Sequence, residues 1–388
     1  MSRHGTLCGL ALAAVVLGIS AQAQTAPLVP VIAGNGAVYV MVEVDGTVKT
    51  WGRPSAMDTL PSLGDGVKSG PDVATPRPLA GVRDIVSVAA NTTHVLLLKR
   101  DGTLLAWGDN EDCEVGSGDD KVKRAPVPVS GLKDIVQIAA GERVSGAVRS
   151  DGTVWIWGSG ASGQLANGQS GRTTPCAMHP TQVEGLTDVK QLALDFGSAM
   201  VVKKDGTVWG WGLNETGLLC DGTKAPRLHP VQAIGITNAT HLAISGSSIV
   251  VLTDGTVRMC GSNVDQQLGD AATVKEHLTP FQVPGISGAV SARTHVGATL
   301  VHLKDGTLRG WGNGYFGALG DGHGDRPSNA IRTPTGLGPV LAHYMSGDSS
   351  FSIRADGTVL AWAIPSDDGK TDWVLTPRAV FTVAVRMP

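Results

Sequence analysis

Short hydrophobic runs alternate with turns rich in Gly, Asp and Pro along the chain. A typical unit reads HVLLLKR before an Asp-Gly-Thr tripeptide and TLLAWG after it, over residues 94–108. Two β-prone runs joined by Asp-Gly predict a β-hairpin whose two turn residues both have positive φ. Another apolar run, DIVSVAA at residues 84–90, precedes this hairpin, and a proline-containing run such as APVPVSG follows it. Because proline cannot donate to a central ladder, the last run is predicted to be an edge strand.

This four-strand unit recurs seven times. The tripeptide begins at Asp45, Asp101, Asp151, Asp205, Asp254, Asp305 and Asp356. Six residues after each Asp stand Trp51, Trp107, Trp157, Trp211, Cys260, Trp311 and Trp362, and the third residue after each Asp is always Val or Leu. Units of about 52 residues that bury one another's faces predict an all-β fold, a single seven-bladed β-propeller of four-stranded antiparallel blades over residues 24–388. The Val/Leu and Trp positions are predicted to pack between blades, and the C-terminal run to lie beside the first blade. The pattern leaves open which blade owns the proline strand.

The first 23 residues have the features of a secretory signal peptide. A polar start containing Arg3 precedes the apolar run LCGLALAAVVLGI, and Ala21-Gln22-Ala23 fits a small-x-small cleavage site. The apolar run is too short for a stable membrane span, and no other stretch is predicted to cross a bilayer. We therefore expect an exported protein, periplasmic or secreted.

Composition and charge narrow the function classes. The chain has 52 Gly and 21 Pro, as expected for many short strands and tight turns. Lys and Arg number 31 against 34 Asp and Glu, a net charge of −3, and removal of Arg3 with the signal leaves −4. Since no basic face is implied, nucleic acid is not the expected partner. A monomer is expected.

Four cysteines remain after the signal: Cys113, Cys176, Cys220 and Cys260. They form no C-x-x-C pair and no metal-ligand spacing with histidine, so a zinc site is not predicted. Exported chains meet oxidising conditions, and one disulfide between neighbouring loops is expected, with Cys176 and Cys220 as the first choice. Sequence alone leaves the pairing open.

Several units resemble the repeat of the regulator of chromosome condensation family. The segments DGTVWIWGSGASGQLANG, WGLNETGLLCDG and WGNGYFGALGDG carry the resemblance, which covers essentially the whole mature chain. Cys260 departs from it in place of Trp, and Ala363 in place of Gly. The resemblance implies a seven-bladed propeller and leaves activity open: one eukaryotic member exchanges nucleotide on a nuclear small GTPase, and a secreted bacterial member inhibits β-lactamases. No residues here match exchange residues, so the exchange-factor function ranks below the others.

Enzyme chemistry has few candidates in this sequence. No Gly-x-Ser-x-Gly elbow is present, and the seven Asp residues of the tripeptides are turn residues in different blades. Among the scattered histidines, His94 is interpreted as a hydrogen-bonded strand residue. A calcium loop at Asp367, Asp368 and Asp372 lacks the required alternate acidic spacing. A hydrolase or lyase on the propeller face is the alternative function, and it would need carboxylates or histidines converging at the channel mouth. No cofactor or metal is predicted.

Variation in the loops after each Trp-Gly gives the best candidate site. Aromatic side chains with charged neighbours are typical of protein-binding hot spots. We predict a protein partner, of unknown identity, for an exported non-enzymatic propeller acting as scaffold, sensor or inhibitor. The predicted partner-binding residues are Asp109, Glu111, Asp112, Glu114, Tyr315, Phe316 and Trp373.

Overall fold

Seven four-stranded antiparallel sheets follow one another along the chain, each with its strands in sequence order. The computed structural model describes residues 28–34, 37–53, 62–67, 70–270, 274–295, 297–324, 327–346, 349–364 and 373–387. The predicted signal peptide and the candidate calcium-loop residues Asp367, Asp368 and Asp372 lie outside these residues. The seven-bladed propeller is confirmed.

The strands fall into four sets by their place in the blade. The first strands of neighbouring blades contact one another all around the ring and are therefore innermost. They are β1 (Val31–Gly34), β5 (Ile85–Ala90), β9 (Ile135–Ala140), β13 (Val189–Leu194), β17 (Ala239–Ile244), β21 (Ala289–His295) and β25 (Ala342–Ser346). The second strands are β2 (Val38–Val42), β6 (His94–Lys99), β10 (Val144–Arg149), β14 (Ser198–Lys203), β18 (Ser247–Leu252), β22 (Ala298–Leu303) and β26 (Ser349–Ile353). The third strands are β3 (Val48–Gly52), β7 (Leu104–Gly108), β11 (Val154–Gly158), β15 (Val208–Gly212), β19 (Val257–Ser262), β23 (Leu308–Gly312) and β27 (Thr358–Trp362). The outer strands are β4 (Val73–Pro78), β8 (Lys123–Pro128), β12 (Ala177–Gln182), β16 (Arg227–Gln232), β20 (Glu276–Gln282), β24 (Ser328–Arg332) and β28 (Arg378–Thr382).

Each proline strand is the outer strand of the blade whose Trp hairpin precedes it, which answers the question of ownership. In blade 2, for example, β8 pairs only with β7, through Leu105 opposite Pro128 and Ala106 opposite Val127. Its other edge faces away from the sheet, where the missing proline N–H costs no ladder bond.

The Asp-Gly-Thr turns differ in one respect from the expected two-residue hairpin. Gly206 has a φ of +82°, whereas no Asp of a tripeptide has positive φ. In the same turn, Asp205 Oδ1 accepts hydrogen bonds from the amide and the hydroxyl of Thr207, at 2.9 and 2.7 Å. The prediction of positive φ at both residues is therefore wrong: the Asp side chain stabilises an ordinary turn, and glycine alone takes the left-handed conformation.

Gly206→Ala is expected to lower the free energy of unfolding by about 2 kcal/mol, through backbone strain and a steric clash. A Cβ at this position would lie 2.6 Å from the carbonyl oxygen of Thr237. Urea denaturation of the full chain measures the change. Gly131→Ala is the matched control, because Gly131 also has positive φ (+80°) but has no atom near the added Cβ. An equal loss in both variants would contradict the steric part of this explanation.

The hydrophobic core is divided into seven clusters, one at each junction between neighbouring blades. Val154 and Trp211, examples of the repeated Val/Leu and Trp positions, are fully buried in the cluster between blades 3 and 4. Each fully buried indole also donates to a loop carbonyl of the preceding blade, as Trp211 Nε1 does to Gln164 O at 2.7 Å. The predicted packing role of these positions is confirmed.

The C-terminal tail lies beside the N-terminal blade, as predicted. Leu28 and Arg386 form an antiparallel bridge, with N–O distances of 2.8 and 3.0 Å. Between blades 7 and 1, the Tyr344 hydroxyl donates to Pro30 O at 2.8 Å, and Tyr39 and Ser349 hydroxyls lie 2.6 Å apart. These contacts close the ring. Each of the seven four-stranded blades takes its strands from one continuous stretch of chain.

The expected Cys176–Cys220 disulfide is wrong. Instead, Cys113 pairs with Cys176, and Cys220 pairs with Cys260. Both bonds connect the loop after the third strand of one blade to the next blade, so the loop of blade 2 takes Cys176 and the loop of blade 4 takes Cys260. Cys260 occupies the Trp position of blade 5, and the disulfide there replaces the indole contact to the preceding loop. In the described part of the chain, no helix is long and apolar enough to cross a membrane.

Candidate protein-binding face

The two ends of the ring differ in what they carry. Because the strands alternate in direction, one end holds the turns between first and second strands together with the loops between third and fourth strands. We call this end the loop face; the Asp-Gly-Thr turns lie on the opposite end. Contacts between neighbouring blades confirm the grouping: Arg143, in a turn of blade 3, pairs with Asp112, in a loop of blade 2, at 2.9 Å.

Buried asparagines hold the loops in shape. Asn214 Oδ1 accepts from the Leu219 amide at 3.1 Å, and its Nδ2 donates to Thr223 O at 3.0 Å. Asn110 and Asn263 hold the loops of blades 2 and 5 in the same way. The residue after each of these asparagines forms the loop apex, where side chains are free to vary without loss of the loop.

The four predicted acidic residues of blade 2 divide into a buried and an accessible pair. Asp109 is buried, and its Oδ1 accepts from the amides of Asn110 and Glu111, so it shapes the loop. Glu114 is buried as well, and its carboxylate accepts from the Asp112 amide at 3.0 Å. Glu111 is exposed at the apex, and Asp112 is half-buried beside Arg143. Only the accessible pair can meet a partner on this surface.

Glu114 is a carboxylate at a position that two other blades fill with glutamine. Burial, with the charges of Asp109 and Asp112, raises the pKa of Glu114 to about 7. Gln164 and Gln267 occupy the same position in blades 3 and 5, and each Oε1 accepts from the amide two residues earlier, at 2.7 and 2.9 Å. Glu114 therefore makes the same hydrogen bond as these glutamines, but burial destabilises its charged form.

The three predicted aromatic residues lie on the loop face of blades 6 and 7. Tyr315 and Phe316 form the apex of the blade 6 loop and are 46% and 49% exposed. The Phe316 ring lies 4.7 Å from the ring of Trp373, centroid to centroid. Phe316 has a φ of +59°, a conformation that bulky side chains rarely adopt. That any of the seven residues binds a partner stays a prediction.

Sequence reasoning missed exposed apolar residues on this face, among them Phe196 and Val264. Phe196 lies in the turn of blade 4 and Val264 at the loop apex of blade 5, with 55% and 69% of each residue exposed. The signal was available for Phe196, the one aromatic at a turn position where the other copies have Gly, Thr, Glu, Ser or Val. With Tyr315 and Phe316, these residues place four exposed apolar side chains on the loop face of three neighbouring blades, which we call the apolar group.

Carboxylates accompany this apolar group. In the turns and loop apices of blades 2 to 5, the exposed or half-buried acidic residues are Glu111, Asp112, Glu142, Asp195, Glu215 and Asp265. Arg143 is the basic residue among them, and Asp112 neutralises it. The loop face therefore carries accessible carboxylates on blades 2 to 5 and exposed apolar side chains on blades 4 to 6.

Titratable groups elsewhere on the described chain are mostly structural. His94 is fully buried with its Nε2 2.6 Å from Ser145 Oγ, as expected for a hydrogen-bonded strand histidine, and burial lowers its pKa to about 3. Among the described residues, no group of three or more His, Cys, Asp or Glu side chains is arranged to hold a metal ion.

Comparison with known proteins agrees with this geometry. Residues 18–351 match the model of the RCC1-like domain. The ultraviolet-B receptor UVR8 of Arabidopsis thaliana is 28% identical over 269 residues, 67% of this chain and 48% of the receptor. The human E3 ubiquitin-protein ligase HERC2 is 27% identical over 238 residues, 57% of this chain but 5% of the ligase. The chain therefore spans less than half the length of either relative.

Solved structures show the same fold. Prp20p of Saccharomyces cerevisiae, described with its binding properties to Gsp1p and histones, superposes with a TM-score of 0.73 at 19% identity, covering 88% of this chain and 87% of Prp20p. Human WBSCR16 superposes with a TM-score of 0.70 at 20% identity, covering 85% and 88%. With seven blades, their Trp-centred junctions and the match over most of its length, the chain belongs to the RCC1-like domain family.

Proposed function

We propose that this chain is an exported, non-enzymatic propeller that binds a protein partner through its loop face and acts as a scaffold, sensor or inhibitor. The observation that carries the proposal is the exposed apolar group of Phe196, Val264, Tyr315 and Phe316 beside an acidic surface. Exposed apolar and aromatic side chains among polar ones are characteristic of protein-binding surfaces.

The backbone of Phe316 supports a binding role over a packing role. A positive φ in a bulky residue costs on the order of 1 kcal/mol, and such strain is typical of functional sites. Glycine or asparagine would relieve it at the same position. The Phe316 ring packs against Trp373 yet stays half-exposed, which leaves it available to a partner.

The charge of the face indicates the chemistry of the partner. In the turns and loop apices, six accessible carboxylates against one paired arginine favour a partner with lysine or arginine around an apolar centre, since complementary charge speeds association and sets orientation. The partner is thus expected to be a folded protein with a basic rim. Prp20p, which shares the fold, has binding properties to Gsp1p and histones, and this is consistent with a propeller of this kind serving as a binding surface.

The cysteines support export. All four cysteines of the described chain are in disulfides, which persist in oxidising compartments and are rare in reducing ones. This agrees with the predicted signal peptide.

Neither competing function gains support from the site. Histidines at the inner strands, such as His241 and His343, have pKa values lowered to about 3 by burial, which makes them weak bases at neutral pH and does not favour a hydrolase or lyase. A ligase activity named for HERC2 belongs to a protein of which this chain covers 5%.

Tyr315→Ala, Phe316→Asn and Trp373→Ala together are expected to weaken partner binding at least tenfold while the fold is kept, because asparagine accepts the positive φ of Phe316. The full chain is immobilised and exposed to envelope and secreted fractions of the source organism. Captured proteins are quantified by mass spectrometry, and the Kd of the main one is then measured.

Met178→Ala with Ile331→Ala is the matched control, because both residues are exposed apolar side chains on outer strands. A partner retained by wild type and control but lost from the triple variant supports the proposal. Equal capture by all three proteins would place binding elsewhere and contradict the assignment of the loop face.

A further inference from the structure

One inner-strand position breaks the repeat in a chemically specific way. One residue of each inner strand lies opposite the second-strand residue that stands five positions before the tripeptide Asp. In blades 1 to 5 this inner-strand residue is alanine: Ala33, Ala89, Ala139, Ala193 and Ala243. Blade 6 has Arg293 there, opposite Leu300, and blade 7 has Tyr344, opposite Phe351. Since inner strands line the ring axis, this substitution places a guanidinium at the centre of the propeller.

Arg293 has no acidic partner there. Its Nη1 lies 3.1 Å from its neighbour's carbonyl, Ala292 O, and 3.0 Å from His241 Nε2 on the inner strand of blade 5. No carboxylate among the described residues forms an ion pair with it. The residue as a whole is half-buried, and burial lowers the pKa of the Arg293 guanidinium. A guanidinium offers five donors, and the two contacts both use Nη1.

A second group at the same place lacks a partner. His343, on the inner strand of blade 7, is only 7% exposed. Its Nδ1 lies 3.0 Å from Ser352 Oγ. Its Nε2 is buried without a hydrogen-bond partner. Burial, then the charges of Arg293 and His302, lowers the pKa of His343 to about 3, so this imidazole is neutral at pH 7. The inner strands that carry Arg293 and His343, β21 and β25, contact each other.

His302 and Tyr344 are the other titratable groups that interact with Arg293. Burial, then the charge of Arg293, lowers the pKa of His302, while Asp305 acts in the opposite direction. Burial raises the pKa of Tyr344, and the charge of Arg293 opposes that rise. His302 Nε2 lies 3.1 Å from Val340 O, and the Tyr344 hydroxyl donates to Pro30 O, so both are fixed by backbone contacts. Arg293 and His343 are therefore the two groups with unused hydrogen-bonding capacity.

We propose that Arg293 and His343 form a site for a small oxyanion, a carboxylate or a phosphate, at the inner strands of blades 5 to 7. Arginine matches the planar, bidentate geometry of these anions, and a half-buried cation without a counter-charge is unfavourable until one binds. This site is separate from the loop-face residues and does not depend on the proposed protein-binding function.

Arg293→Ala tests the site with the residue that five other blades carry at this position. Thermal unfolding of the full chain is followed in increasing inorganic phosphate, and separately in acetate, against sodium chloride of equal ionic strength. For wild type we expect a saturable rise in Tm with at least one of the two anions. In Arg293→Ala the apparent Kd of that anion is expected to rise at least tenfold.

Arg83→Ala is the matched control, because it removes one positive charge from an exposed residue. Arg293→Met, which keeps more of the side-chain volume, is the second variant if alanine impairs folding, as judged by circular dichroism. Retention of the anion response by Arg83→Ala and its loss from Arg293→Ala or Arg293→Met supports the site. The same response in wild type and both Arg293 variants, or no anion-specific response in wild type, overturns it.

Discussion

Glu114→Gln is expected to stabilise the protein by about 3 kcal/mol at pH 8 and to leave stability nearly unchanged at pH 4. The pKa of Glu114 is raised from 4.5 to about 7 in the folded protein, mainly by burial. The folded state thus binds the proton more tightly, so the stability contributed by the neutral carboxyl is present below pH 4.5 and is lost as the pH rises through 7. Glutamine removes this loss and keeps the hydrogen bond, as Gln164 and Gln267 do in their own loops.

Urea denaturation of wild type and variant between pH 4 and pH 8 measures the difference. Glu111→Gln is the control, because Glu111 is an exposed carboxylate in the same loop and its removal changes the net charge equally. A Glu114→Gln difference that stays constant with pH would contradict the assignment of a neutral, buried carboxyl.

Cys260→Trp is expected to lower the free energy of unfolding by roughly 5 kcal/mol, and adding Cys220→Gly is expected to restore at least about 2 kcal/mol of it. The single change breaks the disulfide that closes a 40-residue separation, worth about 4 kcal/mol in the loop-entropy estimate, and forces an indole against Cys220 Sγ. Blades 2, 5 and 6 have glycine where Cys220 stands, and blade 3 has Ala166: a Cβ on Gly116 would lie 2.7 Å from Trp157 Nε1, and one on Gly320 would lie 2.8 Å from Trp362 Nε1. A glycine facing a tryptophan at those junctions thus takes the place that Cys220 and Cys260 have between blades 4 and 5.

The double-mutant cycle of Cys220→Gly and Cys260→Trp, measured by urea denaturation without reductant, tests this exchange. Strongly non-additive losses are expected because the two positions are in contact. Additive losses would show that the two pairs are not alternative solutions to the same packing problem.

Most of the fold could be predicted because its signals are local and repeated seven times. Asp-Gly-Thr and the Trp six residues after each Asp fix the hairpin and its buried face in every copy. The disulfides could not be predicted, since Cys260 has to be placed against the loop of the preceding blade before Cys220 becomes its partner. The prediction of the turn conformation was wrong because Asp is favoured at position 205 by the hydrogen bonds of its side chain and not by a positive φ.

The candidate site was predictable only in part. Tyr315 and Phe316 stood out because they interrupt a loop of small residues. The burial of Asp109 and Glu114 depends on which way each side chain turns within the loop, and the sequence carries no signal for that. Arg293 was hidden for another reason: its inner strand follows the hydrophobic pattern loosely, and only the strand register aligns it with five alanines.

Hydrogen exchange of the full chain, free and bound to the captured partner, shows most directly whether the loop face is the binding surface. We expect slower exchange in the bound state at residues 195–197, 263–266 and 313–317. Unchanged exchange at the Asp-Gly-Thr turns of the same blades is expected, because those turns lie on the opposite end of the ring. Protection confined to the Asp-Gly-Thr turns or to the outer strands would contradict the assignment of binding to the loop face.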